Sequence, residues 1–267
     1  MRLLSAVLVS AVVTAGLIAR RRSPRLSIEP FPSVARAAVA VVLLVGVLAV
    51  TVFLPLQGIF GESAPPDLEN ASFLSLFAGH VVLGGFLLVW WGLAGFVAPE
   101  RFLRLSLQRP ARRVWFGFGA GLAGWMATIA AMAAAAYFLG LGERAAGMSG
   151  GGDAAAGVGE IPDVVRFLVG LPVWRRLLLV ISAGVFEEAF FRSFLQPRAG
   201  LFLSTLLFTM SHASYGMPFM LIGVFTVSLV LGLLFRASDD VLPCMVAHSV
   251  FDGVQLLVVL PFVVSSQ

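Results

Sequence analysis

The run Leu177-Leu178-Leu179-Val180-Ile181-Ser182-Ala183-Gly184-Val185-Phe186-Glu187-Glu188-Ala189-Phe190-Phe191-Arg192-Ser193-Phe194-Leu195 decides how this chain is read. Its length matches the ~20 residues that cross the hydrocarbon core of a bilayer. Yet it carries two adjacent glutamates and an arginine. An ionisable side chain at the centre of a membrane helix costs roughly 2.5–3.5 kcal/mol, so such residues pair, line a wet cavity or react. Helical geometry separates the three. Glu188 and Arg192 stand four residues apart on one face, the spacing of an ion pair. Glu187 points about 100° away and is left for chemistry. A purely architectural ion network is the competing reading of the trio.

The rest of the chain is built to surround such a helix. Of its 267 residues 59% are hydrophobic and only 12% charged, against roughly 25% charged in soluble domains; the mean hydropathy is +0.98. Further apolar runs over 3–19, 37–56, 73–97, 114–140, 218–235 and 241–263 are candidate spans alongside 177–195. The run 201–213 is too short to cross comfortably. The segments 57–72 and 141–163 read as loops, from Pro65, Pro66 and the glycines 150–152. Residues 161–176 read as an interfacial helix interrupted by Arg166, Arg175 and Arg176. The expectation is an all-α, polytopic transmembrane bundle of about eight membrane helices, one of them short. It divides into N-terminal helices over 1–160 and a C-terminal helical core over 161–267, which holds the buried acids.

The net charge of +4 comes from arginine, without a single lysine. The arginines sit between apolar runs and form no stripe, which argues against nucleic-acid binding and for topological anchoring. They concentrate at 20–36, 101–113, Arg198 and Arg236, so those segments are expected in the cytoplasm and the N-terminus outside; Arg144, Arg166, Arg175 and Arg176 break the pattern. Only Arg2 precedes the first run while Arg20, Arg21, Arg22 and Arg25 follow it, the reverse of a signal peptide. The lone Cys244 lies in an apolar run, where a packed thiol is expected.

Two more polar sets fall in the last third. In Phe208-Thr209-Met210-Ser211-His212 the aromatic ring stands one turn from the imidazole. In His248-Ser249-Val250-Phe251-Asp252 the carboxylate shares the imidazole's face and can fix its tautomer. His80, alone in its span, reads as a hydrogen-bonded packing residue. At 1.5 Å per residue, Glu187 lies about 16 Å from Arg198, His212 about 18 Å into its helix and His248 about 12 Å past Asp240. Three elements thus deliver polar groups to one layer in the cytoplasmic half of the membrane.

The ordered set Glu-Glu-x-x-x-Arg, Phe-x-x-x-His and His-x-x-x-Asn/Asp resembles the CPBP family of CAAX proteases and bacteriocin-processing enzymes, from about residue 165 to 263. The resemblance implies a glutamate-dependent intramembrane endopeptidase acting on a membrane-associated peptide or protein, with no cofactor and no metal. Carried over by motif, Glu187 as general base and His212 activate water, His248 with Asp252 stabilises the oxyanion, and Glu188 with Arg192 supports the site or orients substrate. The eukaryotic CAAX enzymes have Asn at the position of Asp252. An ionised Asp cannot donate a hydrogen bond, so either Asp252 is protonated or it holds His248 as imidazolium and His248 alone donates; the second is favoured. A prenylated substrate is not implied by these residues. The arginine-only, Ala- and Gly-rich composition points to the inner membrane of a bacterium.

Two other classes stay open at this stage. Glu187, Glu188, His212 and His248 are zinc-ligand types, although His-Glu-x-x-His is absent. A proton-coupled transporter or an assembly partner would also bury acids, but no internal repeat is visible.

Overall fold

Within a bilayer the backbone finds no partner but itself, so long apolar runs fold as helices. The computed structural model describes residues 2–19, 31–57, 73–140, 163–213 and 219–266, and no strand occurs among them. Helix α1 is Arg2–Ala19 and α2 is Val34–Leu48, prolonged through Gln57. Helix α3 is Ala78–Leu93, entered by a 3-10 turn, and α4 is Pro110–Phe138. Helix α5 is Asp163–Gly170, α6 is Val173–Glu188 prolonged through Ala199, and α7 is Leu201–Ser211. Helix α8 is Met220–Ser238 and α9 is Val241–Val254, prolonged through Ser265.

Each expected span thus has a helix in its place, and the chain is a polytopic helical bundle. Val34–Leu56, Phe73–Leu93, Pro110–Phe138, Met220–Ser238 and Val241–Ser265 are long and apolar enough to cross a membrane, with Leu3–Ile18 and Leu201–Ser211 as shorter apolar helices. The expected loops 57–72 and 141–163, the arginines 20–25 and the break after Ala213 lie, apart from end residues, outside the described residues.

One expectation is corrected. No single interfacial helix runs over 161–176. Pro172 disfavours helical backbone at the residue before it and is itself extended, at φ −55° and ψ 146°. Helix α5 therefore ends at Gly170, and Arg175 and Arg176 fall in the first turn of α6.

Among the described residues wide turns interrupt three helices, at Ala49–Phe53, Ala189–Leu195 and Gln255–Val259. Each ends two residues before a proline: Pro55, Pro197 and Pro261. The residue ahead of each proline donates five residues back, Leu54 to Ala49, Gln196 to Phe191 and Leu260 to Gln255. A proline has no N–H, and its ring collides with the carbonyl four residues back in an ordinary α-helix. Widening the preceding turn carries that carbonyl away from the ring. In α9, Arg176 supplies a donor that Pro261 lacks, reaching the Leu256 carbonyl at 2.9 Å. Such π turns are frequent at functional sites, and the first two border the cavity described below.

Helix α9 is held tightly from two sides. A Cβ added at Gly121 of α4 would stand 2.6 Å from the Ala247 carbonyl oxygen and 2.8 Å from Val250 Cβ. One added at Gly184 of α6 would strike Ser249 and come within 2.7 Å of the Met245 carbonyl. At its start, buried Asp240 caps α9 through Leu242 N (3.2 Å), accepts from Ser106 N (3.1 Å) and pairs with Arg113. One apolar core joins both halves of the chain: Leu44, Leu48 and Val52 of α2 and Phe86 and Trp90 of α3 pack with Phe190, Phe191 and Phe194 beyond Glu188 and with Phe208 of α7.

Replacing Gly121 by Ala is expected to push α9 outward and lower stability by about 1–3 kcal/mol, the usual cost of overpacking. Thermal unfolding of the purified protein in detergent measures it, with Gly119→Ala, which meets open space, as the control.

Candidate active site

Glu188 and Arg192 face each other one helical turn apart, as their spacing demands. Arg192 Nε donates to Glu188 Oε2 at 3.0 Å, and both side chains are wholly buried. Arg192 Nη2 also donates to Ser228 Oγ of α8 at 3.0 Å, and its guanidinium lies 5.2 Å from the Phe208 ring. The other carboxylate oxygen, Glu188 Oε1, lies 2.9 Å from His248 Nδ1 of α9. His248 Nε2 in turn lies 3.4 Å from Asp252 Oδ2. A continuous polar chain therefore runs Ser228, Arg192, Glu188, His248, Asp252. The i, i+4 pairs were legible in the sequence; the Glu188–His248 link between them spans 60 residues and was not.

Glu187 turns away from this chain, as the 100° step requires. Its carboxylate forms the wall of a cavity of about 310 Å³ lined also by Val50, Thr51, His80, Phe191 and His212. Oε2 lies 3.9 Å from His212 Nε2, beyond direct hydrogen bonding, and is buried without a hydrogen-bond partner among the described residues. Oε1 lies 3.4 Å from His80 Nε2. His248 and Asp252 are not among the described residues lining this cavity.

The His212 tautomer follows from its partner. Its Nδ1 lies 2.9 Å from the Phe208 carbonyl oxygen, which only accepts, so Nδ1 carries the hydrogen and Nε2 is left facing Glu187. The Phe208 ring joins the two groups, stacked on His212 at 4.6 Å and edge-on to His248 at 5.9 Å. An aromatic at that position thus holds both imidazoles. Cys244 is a packed thiol as expected, buried and 3.6 Å from the Leu231 carbonyl.

His80 is the residue the sequence undervalued. It is hydrogen-bonded, as expected, but to Glu187 and Ser182, and it shares the cavity. It lies 107 positions before Glu187, so no local spacing betrays the pairing; being ionisable inside an apolar span was its only signal.

Residues 169–254 match the family model described as type II CAAX prenyl endopeptidase Rce1-like. The matched segment contains Glu187, Glu188, Arg192, His212, His248 and Asp252 and leaves out His80. No curated protein and no solved structure gives a match.

Replacing Arg192 by Met removes the cation paired with buried Glu188 and leaves it with His248 alone. The expected loss is about 3–5 kcal/mol, the cost of breaking a buried pair from one side, read as a lowered unfolding temperature. Arg192→Met with Glu188→Gln should recover part of it.

Proposed function

We propose, from the premise that residues 169–254 belong to the Rce1-like family of type II CAAX prenyl endopeptidases, that this membrane protein hydrolyses a peptide bond with water activated by Glu187 and His212. The observation that carries the mechanism is Glu187 Oε2, buried, without a hydrogen-bond partner among the described residues and 3.9 Å from His212 Nε2 at a cavity wall. At 3.9 Å the two atoms stand at a separation that one water oxygen, about 2.8 Å from each, would bridge.

Glu187 Oε2 takes one proton from this water while its oxygen bonds to the scissile carbonyl carbon. The carbonyl electron pair moves onto oxygen and forms a tetrahedral oxyanion. Collapse breaks the carbon–nitrogen bond, and the proton held by Glu187 passes to the departing amine. His212, anchored through Nδ1 on the Phe208 carbonyl, presents Nε2 to the same water. His248 and Asp252 stabilise the oxyanion in this reading, with His248 as donor because an ionised carboxylate has no hydrogen to give. Asp252 is the more open of the two, at 26% side-chain exposure against 6% for His248, so it is the member that yields Nε2 to a substrate. Glu188 and Arg192 orient His248 from behind.

The substrate in this reading is a membrane-associated peptide or protein segment, entering a cavity bordered by Val50, Ala78, Gly79, Val82 and Leu83. Prenylation is not required by any of these contacts. The arginine pattern supports a site in the cytoplasmic half of a bacterial inner membrane. Among the described residues no group of three His, Cys, Asp or Glu side chains is placed to hold a metal ion.

In cleavage assays of a membrane-inserted peptide, Glu187→Ala and His212→Ala are expected to lower kcat by at least about 100-fold, as for loss of a general base. Equal turnover by wild type and both variants would sink the peptidase reading and return the transporter or assembly alternatives. Activity of the purified wild type is expected to survive prolonged treatment with a strong chelator; loss that zinc restores would contradict the metal-free mechanism.

A further inference from the structure

We infer that His80 of α3, with Ser182 behind it, is a positioning residue for Glu187 that occupies Oε1 and leaves Oε2 for the attacking water. The inference rests on the peptidase reading and adds to it a residue from outside the segment matched by the family.

The hydrogen bonds assign the protons. Ser182 Oγ donates to the Leu179 carbonyl oxygen at 3.0 Å, and a carbonyl oxygen only accepts. The single hydroxyl hydrogen is thereby used. Towards His80 Nδ1, 3.0 Å away, Ser182 Oγ accepts, so Nδ1 carries a hydrogen. The opposite ring nitrogen, Nε2, faces Glu187 Oε1 at 3.4 Å. A hydrogen bond there needs one further proton, and with Glu187 as the general base that proton sits on the ring, so Nε2 donates and Oε1 accepts.

Packing fixes the ring that makes these contacts. Phe186 stacks on His80 with centroids 6.3 Å apart and planes 15° apart, and Phe77 meets it edge-on at 6.1 Å. Ser182, Phe186 and Glu187 all belong to α6, so the imidazole bridges two parts of the helix whose carboxylate it holds. A free carboxylate rotates about its last bond and presents either oxygen. With Oε1 occupied, Glu187 has one orientation, and in it Oε2 faces His212 and the cavity. Both imidazoles on Glu187 share one logic, with Nδ1 hydrogen-bonded to protein and Nε2 turned to the carboxylate.

The test uses the full chain in liposomes with a membrane-inserted peptide, measuring kcat and KM for wild type, Glu187→Ala, His80→Ala, His80→Gln, His80→Asn and Ser182→Ala. A terminal Gln amide reaches the place of Nε2 and keeps a donor on Glu187; the shorter Asn reaches only towards Ser182. His80→Ala and His80→Asn are expected to lose kcat on the order of 100-fold, the scale of a misplaced catalytic group, with KM little changed. His80→Gln should recover most of that loss. Ser182→Ala should fall less, and should cost nothing further when added to His80→Ala. Should His80→Ala fold poorly, the Gln and Asn variants decide, compared at matched unfolding temperature. Wild-type kcat in His80→Ala beside an inactive Glu187→Ala overturns the role of His80 while leaving the peptidase reading intact, as does equal impairment by Gln and Asn. Cleavage by Glu187→Ala at the wild-type rate is the separate signature of a failed peptidase reading.

Discussion

Arg192 is a permanent cation with its whole side chain buried in an apolar bundle, and a buried charge persists only when matched in geometry as well as sign. Glu188 supplies the match from the same helix and Ser228 a neutral acceptor from α8. Glu188 then has one oxygen left, and His248 of α9 takes it. Three helices are thereby set in register around one guanidinium. The direction of Glu187 follows from this arrangement: as the preceding residue on the helix it must leave on another face, and that face looks onto the cavity. The ion pair so fixes a carboxylate that takes no part in it.

The surroundings preserve that register. The turn that widens immediately after Glu188 lets α6 continue to Pro197, and the similar turn in α2 places Val50 and Thr51 at the cavity wall ahead of Pro55. Gly121 and Gly184 bring α4 and α6 against the backbone of α9, so His248 has little freedom to withdraw from Glu188. Helices α2 and α3 do more than add hydrophobic bulk. They share the core with Phe190 and Phe208 and form much of the cavity boundary.

What the sequence reveals and conceals divides along physical lines. Spans were legible because lipid imposes one secondary structure and one length on every crossing segment. The Glu188–Arg192 and His248–Asp252 pairs were legible because four residues make one helical turn. The Glu188–His248 and His80–Glu187 contacts were not, since each joins distant helices whose relative rotation no local period encodes. The widened turns were half legible: Pro55, Pro197 and Pro261 are plain to see, but a proline in a helix permits a kink, a stop or a wide turn. Pro172 chose the stop, and that choice divided the expected interfacial helix at Gly170.

In the proposed mechanism, water held between Glu187 and His212 attacks the peptide bond with no covalent intermediate. Cleavage of a membrane-inserted peptide by the reconstituted protein in oxygen-18 water, followed by mass spectrometry of products and intact protein during the first turnover, tests it most directly. Direct attack predicts heavy oxygen in the new C-terminal carboxylate and no peptide fragment attached to the protein at any time. A fragment covalently bound to the chain before product release, or new termini formed equally by a Glu187→Gln variant, would contradict it.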